Sequence, residues 1–232
     1  MRCGETVVRR REMSEQIGAG ADDTYGGRRP TSHERMTGRP WDDSYQDGPA
    51  PWDVGQPQPA VMRLADQGAF VGPVLDAGCG TGENALQIAA AGARVLGVDV
   101  AETALSIARE KARARHLDVD FVLADAFQLA RLDRMFETVL DCGLFHTFDT
   151  DERRDYVESL ASVTASGGHL VVLCISDAEP GTWGPHRITQ DELKAAFSRA
   201  RGWNVLSISP DRVVTSFDAD GASAWLARIE RL

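Results

Sequence analysis

Three glycines at alternate positions mark the segment of this 232-residue chain that is best suited to bind a ligand. They follow a short apolar run and precede a helical pattern, in the segment Asp76-Ala77-Gly78-Cys79-Gly80-Thr81-Gly82. Glycine adopts backbone conformations closed to other residues and lets a ligand approach the main chain. A strand, a glycine turn and a helix start form the place where α/β proteins hold nucleotide-like cofactors, with free helix N–H groups facing an anion.

Acidic residues end four successive predicted strands. Asp76 precedes the glycines, and Asp99, about 20 residues further on, stands where an acid binds ribose hydroxyls. Asp125 could accept a hydrogen bond from an adenine amino group, with the Ala126 N–H facing a ring nitrogen, and its alternative role is a helix N-cap. Asp141 ends the fourth strand. Carboxylates gathered at one edge suit a cationic ligand better than a pyrophosphate.

The pattern D-x-G-x-G-x-G after a strand resembles the first motif of class I S-adenosylmethionine-dependent methyltransferases. With the later acids in the same order, the resemblance covers about residues 60 to 232. It implies S-adenosylmethionine as the cofactor, S-adenosylhomocysteine as the product, and a methionyl ammonium facing Asp76. The cofactor-binding residues that it implies within the domain are Asp76, Gly78, Cys79, Gly80, Asp99, Val100, Asp125, Ala126 and Asp141.

A narrower resemblance is to the thiopurine-methyltransferase-like branch, which includes bacterial thiol, halide and heterocycle or quinone methyltransferases. The segments that carry it are Pro51-Trp52-Asp53-Val54-Gly55-Gln56-Pro57-Gln58-Pro59, Asp141-Cys142-Gly143-Leu144-Phe145-His146 and Ala224-Trp225-Leu226-Ala227. In that branch an aromatic N-terminal segment folds over the bound cofactor. The resemblance therefore implies that Trp41 and Tyr45 are the lid aromatics and that Trp52, at the P-W-D-I-G position of that branch, also binds the cofactor. The alternative is a strap that packs on the flank of the domain.

Methyl transfer from a sulfonium is an in-line displacement, so the enzyme must align the acceptor and, where needed, remove its proton. His146 follows the fourth strand, where the acceptor should lie, and is the candidate base for a phenol, a thiol or a heterocyclic N–H. The alternative is a histidine that only shapes the pocket. Phe145, Trp183 and Arg187 are further candidate acceptor-binding residues, and Arg187 could hold an anionic acceptor.

Strand and helix patterns alternate from residue 60, which predicts a doubly wound, mostly parallel α/β sheet. The family resemblance adds a C-terminal antiparallel hairpin and implies a seven-stranded, Rossmann-like methyltransferase fold. The sequence pattern itself places two late strands at 203–209 and 212–217 and a last one at 223–230. The predicted organisation is a disordered tail at 1–35, an aromatic and proline-containing lid at 36–59, and the methyltransferase domain at 60–232.

Composition limits the partners. A net charge of −10 argues against a nucleic-acid substrate, because phosphate binding needs a basic surface. The four scattered cysteines fit neither a zinc site nor a disulfide framework, so we expect no metal and a cytoplasmic location. No apolar run approaches the roughly 20 residues of a membrane helix. We expect a small-molecule acceptor, no nucleic acid, no membrane, and a monomer or homodimer.

Two other functions stay open on the sequence. A NAD(P)-dependent oxidoreductase would use the same Asp99, but its G-x-G-x-x-G fingerprint needs a glycine where Glu83 stands. None of the three tyrosines has a lysine four residues on, as a common catalytic pair would require. A non-catalytic cofactor-binding protein is the other alternative, although the cofactor acids are present. The sequence favours a small, hydrophobic or aromatic acceptor methylated at O, S or N.

Overall fold

The computed structural model describes residues 24–182 and 184–232. Its strands are β1 (Pro73–Ala77), β2 (Arg94–Asp99), β3 (Val119–Leu123), β4 (Phe136–Cys142), β5 (Thr164–Ile175), β6 (Trp203–Thr215) and β7 (Asp218–Arg231). Its α-helices are α1 (Ser32–Thr37), α2 (Pro59–Asp66), α3 (Glu83–Ala90), α4 (Glu102–Ala114), α5 (Thr150–Ala161) and α6 (Gln190–Ala196). None of the helices in these two ranges is long and apolar enough to cross a membrane.

The described strands form one seven-stranded sheet in the order β3-β2-β1-β4-β5-β7-β6. The first five strands pair in parallel, and β7 pairs antiparallel to both β5 and β6. β7 therefore runs against the other six strands and forms the predicted C-terminal hairpin with β6. Because the carboxyl ends of parallel strands share one edge, the segments that follow β1, β2, β3 and β4 meet there.

The central strands are apolar on both sides because helices cover both faces of the sheet. On β1, Val74 and Leu75 are fully buried and point to opposite faces. Val74 packs in a cluster with side chains of α2, α3 and α4, whereas Leu75 packs in a second cluster with side chains of α5 and α6. The doubly wound architecture predicted from the sequence is confirmed.

The C-terminal strands differ from the prediction. The two late strands predicted at 203–209 and 212–217 are one continuous strand, β6, in which Pro210 pairs with Trp225 of β7. β6 is the edge strand of the sheet, so a residue without an N–H can be accommodated on its unpaired side. The prediction of two separate strands in this region was therefore wrong.

The predicted disordered tail also needs correction at its C-terminal end. Residues 1–23 lie outside the described part of the chain, but residues 24–35 are structured. Thr31 caps α1 in a capping box with Glu34, and Arg35 forms ion pairs of 2.9 Å with Asp149 and with Glu152 at the start of α5. The Thr-x-x-Glu pattern is a helix-start signal, and the polar composition around it hid that signal.

Candidate active site

The glycine turn connects β1 to α3 in left-handed backbone conformations. Gly78, Gly80 and Gly82 have φ angles of 73°, 52° and 83°. The N–H groups of Gly78 and Cys79 both donate to the carbonyl of Val98, at 2.8 and 2.9 Å, which ties the turn to the end of β2. Since these donors are already used, an anionic ligand group would be met by the first N–H groups of α3.

Asp99 ends β2 in a fixed orientation. Its Oδ2 accepts from the N–H of Gly80 at 2.8 Å, and its Oδ1 accepts from the N–H of Ala101 at 2.9 Å. Burial raises the pKa of Asp99, and the surrounding N–H groups act against that rise. Asp99 and Val100 both line a cavity, where the remaining lone pairs of the carboxylate could accept from ligand hydroxyls.

Asp76 is buried in β1, next to the glycine turn, and it does not itself line the cavity. Its side chain is 1% exposed, and its Oδ2 has no hydrogen-bond partner among the described residues. Burial, and then the charges of Asp99 and Asp141, raise the pKa of Asp76 to about 7, and the N–H of Ala85 acts in the opposite direction. A nearby cation would stabilise this carboxylate.

Asp125 takes the alternative role considered for it and also faces the cavity. It caps a short 3₁₀ helix, Ala126–Leu132, by accepting from the N–H of Phe127 at 2.9 Å. Asp125 and Ala126 both line the cavity. Ala126 is the first residue of the 3₁₀ helix, so its N–H has no partner inside that helix.

Asp141 does not support the predicted cofactor contact. It is fully buried, it is not part of the cavity wall, and burial raises its pKa to about 6. Its carboxylate accepts from the N–H groups of Leu144 at 3.0 Å and of Phe145 at 3.1 Å. Asp141 therefore shapes the loop after β4, because backbone donors satisfy its oxygens.

A segment that precedes the first predicted strand covers the carboxyl edge of the sheet. We call residues 24–58 the strap. Trp41, Tyr45 and Trp52 of the strap all line the cavity. The Trp41 ring stacks on His33 with centroids 4.3 Å apart, and the indole N–H of Trp52 donates to the Tyr45 hydroxyl at 2.9 Å. The three aromatic residues predicted to bind the cofactor therefore lie together over one cavity.

A buried carboxylate organises the first part of the strap. Glu34 is fully buried and accepts from both terminal nitrogens of Arg28, from the N–H of Thr31 at 2.9 Å and from the N–H of Trp41 at 3.0 Å. Burial alone would raise the pKa of Glu34, but these hydrogen bonds, that from Arg28 foremost, hold it below its ordinary value. Arg28, Thr31 and His33 also line the cavity, and sequence reasoning missed them because the segment was predicted to be disordered.

Further contacts fasten the strap to the domain. Asp42 accepts from the N–H of Thr103 at 2.7 Å and from its hydroxyl at 2.8 Å, which supplies the cap that α4 lacks at Ala101. Gln58 donates to the carbonyl of Val214 at 2.9 Å and accepts from its N–H at 2.8 Å. The strap is therefore attached at both ends of the cavity.

His146 lies in the cavity wall and is 6% exposed. Its Nδ1 accepts from the N–H of Ile175 at 2.9 Å, so the neutral ring carries its proton on Nε2. Burial, and then the charges of Arg187 and His186, lower the pKa of His146 to about 3. This geometry argues against the predicted base, because the basic lone pair is already used and the free edge of the ring is a donor.

The other predicted acceptor-binding residues fall into three groups. Phe145 is buried in the core, with its ring centroid 5.5 Å from that of Phe197, and it does not line the cavity. Arg187 lines the cavity but donates to the carbonyls of Glu179, Pro185 and Pro180, so it braces its own loop. Trp183 lies outside the described residues. The expectation for Phe145 is therefore corrected, because its side chain packs in the core cluster that contains Phe197.

These residues enclose a cavity of about 620 Å³ along the carboxyl edge of the sheet. Ligand pockets are commonly about 300–1,000 Å³, so the volume suits two small molecules side by side. We call the part around Gly78, Asp99 and Asp125 the cofactor end. The acceptor end lies over β4, β5, β7 and β6, where the strands contribute Cys142, Ile175, Val213, Thr215 and Ala222.

Comparisons with known proteins identify the family. A family described as "Methyltransferase domain" matches residues 74–168. The 2-heptyl-1-hydroxyquinolin-4(1H)-one methyltransferase of Mycobacteroides abscessus is 34% identical over 220 residues, which are 93% of this chain and 90% of that protein. The chain belongs to the class I S-adenosylmethionine-dependent methyltransferases.

Other known proteins are similar to smaller parts of the chain. The probable thiol methyltransferase 2 of Arabidopsis thaliana is 26% identical, over 66% of this chain and 69% of that protein. A solved structure concerned with conversion of a disulfide bond into a thioacetal group during echinomycin biosynthesis is 38% identical. It covers 78% of this chain and 84% of the other, with a TM-score of 0.69. The methyltransferase prediction is confirmed, and the oxidoreductase alternative is set aside.

The described residues fit the methyltransferase cofactor. S-Adenosylmethionine carries an ammonium and a sulfonium, and the unpaired, buried Oδ2 of Asp76 belongs to β1, two residues before Gly78 of the cavity wall. The repulsion among Asp76, Asp99 and Asp141 that raises the pKa of Asp76 is what a bound cation would relieve. A dinucleotide pyrophosphate would add to the same repulsion.

Proposed function

We propose that this methyltransferase methylates an ionisable oxygen, sulfur or nitrogen of a small, apolar, aromatic acceptor. The observation that carries the proposal is the continuation of the cavity from the cofactor end to the acceptor end. Beyond the glycine turn the wall is mostly apolar, with Leu144, Phe148, Ile175, Val213 and Ala222. Apolar walls with few polar groups are typical of sites for small organic molecules.

The strap limits the size of the acceptor. Trp41, Tyr45 and Trp52 roof the cavity, and the described cavity of about 620 Å³ must hold both reactants. The relative from M. abscessus is named for an aromatic heterocycle with an N-hydroxyl group and an apolar heptyl chain. An acceptor of that kind matches an apolar wall that contains isolated polar groups such as His146.

The proposed cofactor contacts follow the geometry of the cofactor end. When bound, S-adenosylmethionine supplies an electrophilic methyl carbon on a sulfonium. Asp99 would accept from the ribose hydroxyls, Asp125 and Ala126 would face the adenine, and Asp76 would lie opposite the ammonium. Gly78, Cys79 and Val100 complete the proposed wall around the cofactor. The strap would exclude water, which keeps the reactants aligned and the charges unscreened.

The proposal also covers the cellular compartment and the oligomeric state of the protein. The cysteines of the described segments, Cys79, Cys142 and Cys174, are free, which supports a reducing compartment such as the cytoplasm. A monomer or a homodimer remains our prediction for the assembly.

Calorimetric titration with S-adenosylmethionine, S-adenosylhomocysteine and NAD tests the cofactor site. We expect micromolar binding of the adenosyl pair and no binding of NAD. Replacing Asp99 by alanine should weaken S-adenosylhomocysteine binding by about 10- to 100-fold, the effect of losing hydrogen bonds to a charged group. Asp118→Ala, at an exposed aspartate, is the matched control.

The acceptor is tested by following methyl transfer from S-adenosylmethionine to hydroxyquinolones, phenols and thiols. Turnover of the aromatic hydroxy compounds or thiols supports the proposal. Tight cofactor binding without transfer to any of these compounds would contradict the acceptor class and leave the cofactor site intact.

A further inference from the structure

We propose that His146 holds the acceptor as an anion through its Nε2–H and does not remove a proton from it. This inference rests on the proposed methyl transfer to an ionisable acceptor. It assigns to a single side chain both the recognition of the acceptor and a preference for acceptors that ionise readily.

The backbone of β5 fixes the state of the His146 ring. The N–H of Ile175, the last residue of β5, donates to Nδ1 at 2.9 Å. A neutral imidazole has one acceptor nitrogen and one donor nitrogen, so the proton lies on Nε2. The ring cannot turn over without leaving the buried N–H of Ile175 unpaired, which would cost free energy.

The free edge of the ring lies beside Gly143, in the part of the cavity wall that follows β4. A Cβ built on Gly143 would lie 3.8 Å from Cε1 and 3.9 Å from Nε2 of His146, and both residues line the cavity. None of the described residues accepts a hydrogen bond from Nε2. The position after β4 is at the acceptor end, between the β1 turn and the apolar wall from β5 and β6. On this proposal the Nε2–H is the donor that meets the bound acceptor.

The surroundings keep the ring neutral. Burial is the main cause that lowers the pKa of the ring, and the charged and titratable groups that lower it further are Arg187 and His186, both in the loop after β5. A second proton would place a cation next to the Arg187 guanidinium in a buried site. A neutral donor beside a cationic side chain favours a bound anion over its neutral conjugate acid.

The chemistry then needs no proton transfer on the enzyme. A lone pair of the acceptor anion forms the new bond to the methyl carbon, and the carbon–sulfur bond breaks with its electron pair going to sulfur. The negative charge of the acceptor and the positive charge of the sulfonium cancel, so no proton is released in this step. The pH dependence of turnover should therefore follow the pKa of the acceptor.

Two substitutions, His146→Gln and His146→Leu, distinguish a hydrogen-bond donor from a general base at this position. Glutamine can donate a hydrogen bond from a similar position but cannot take up a proton at neutral pH. We expect His146→Gln to retain kcat/KM to within about tenfold and His146→Leu to lose about 10- to 100-fold, as for a hydrogen bond to a charged group. His169→Gln, at a half-buried histidine of β5 that does not line the cavity, is the matched control.

Ultraviolet spectroscopy gives a readout that does not depend on turnover. The probe is 2-heptyl-1-hydroxyquinolin-4(1H)-one with two ring-substituted analogues of different acidity, each bound together with S-adenosylhomocysteine. Wild-type protein and His146→Gln should bind each compound in a more ionised form than free solution contains at the same pH. His146→Leu should bind less of the anion, while its affinity for S-adenosylhomocysteine stays at the wild-type value.

The two outcomes are distinct. If His146→Gln retains the activity that His146→Leu loses, and the pH–rate inflection moves with the acidity of the acceptor, His146 acts as the donor. If instead both variants lose about 10²- to 10⁴-fold, as removal of a general base does, and the inflection stays at one pH for every acceptor, the inference is overturned. Failure of the wild-type protein to bind any acceptor in the presence of S-adenosylhomocysteine would reject the proposed function and this inference together.

Discussion

Asp76 combines a fully buried carboxylate with one oxygen that lacks a partner among the described residues. Its pKa is raised to about 7, first by burial and then by Asp99 and Asp141. The folded protein thus keeps a proton that the unfolded chain releases near pH 4. The contribution of this group to the free energy of unfolding therefore falls as pH rises from about 4 to about 7. The binding of a cation beside Asp76 should instead become stronger as pH rises, because a cation interacts more favourably with the ionised carboxylate.

We therefore expect cofactor affinity to depend on pH through Asp76. The ionised fraction of a group with a pKa of about 7 rises about tenfold between pH 6 and pH 8. The dissociation constant of S-adenosylhomocysteine should fall by up to that factor over this range. In Asp76→Asn the dissociation constant should be larger and nearly independent of pH. Parallel pH profiles for the two proteins, measured by calorimetry, would show that Asp76 does not face the ammonium.

At the residue scale the sequence predicted the positions of the strand-end acids better than their roles. Asp99 lies in the cavity as expected, since the end of a parallel strand fixes where its side chain lies. Asp141 occupies an equivalent strand end, but its carboxylate is satisfied by the N–H groups of the following loop. Which donors surround a carboxylate depends on loop conformation, and the spacing of residues does not specify it. The same limit explains His146, whose ring state is set by the distant N–H of Ile175.

At the scale of elements the central sheet could be predicted, because its strands are apolar runs separated by helical patterns. The strap could not be predicted as an element, since its order comes from scattered polar contacts. Glu34 joins Arg28, Thr31 and Trp41, and Ser32 donates from its hydroxyl to the carbonyl of Thr147 at 3.2 Å. The contacts of Glu34 are polar and local, and that of Ser32 joins positions 115 residues apart, so neither kind produces an apolar periodicity in the sequence.

Glu34 should control whether the strap closes the cavity. Breaking a buried, hydrogen-bonded ion pair by removing one partner costs about 3–5 kcal/mol. In Glu34→Ala the first part of the strap should therefore detach from the cavity while the sheet stays folded. We expect faster tryptic cleavage at Arg28 and Arg35, altered fluorescence of Trp41, and weaker binding of S-adenosylhomocysteine.

An exposed pair in the same strap provides the control for Glu34. Arg39 and Asp43 form an ion pair of 3.3 Å, with Arg39 61% exposed, and such pairs contribute about 0–1 kcal/mol. Asp43→Asn should leave cleavage and affinity near the wild-type values. Equal effects of Glu34→Ala and Asp43→Asn would mean that the buried carboxylate does not organise the strap.

At the scale of the whole molecule, one edge of the sheet supplies both ends of the cavity. The strands β1, β2 and β3 carry the acids of the cofactor end, and β4, β5, β7 and β6 carry the acceptor end. Because β7 runs antiparallel, its first residues return to the same edge, where Ala222 pairs with Val213. The hairpin thus extends the apolar wall, and only the strap remains to close the site.

Two truncated chains test whether the strap begins before the lid predicted at 36–59. Removing residues 1–35 deletes Arg28, Thr31, His33 and Glu34, which line the cavity or hold Trp41 in its wall. We expect the affinity of this protein for S-adenosylhomocysteine to fall about tenfold or more, since hydrogen bonds to a charged group are lost. Removing residues 1–23 keeps every described strap contact and is the matched control. If both proteins bound S-adenosylhomocysteine equally well by calorimetry, the functional site would begin at the predicted lid, and residues 24–35 would serve only to pack α1 against α5.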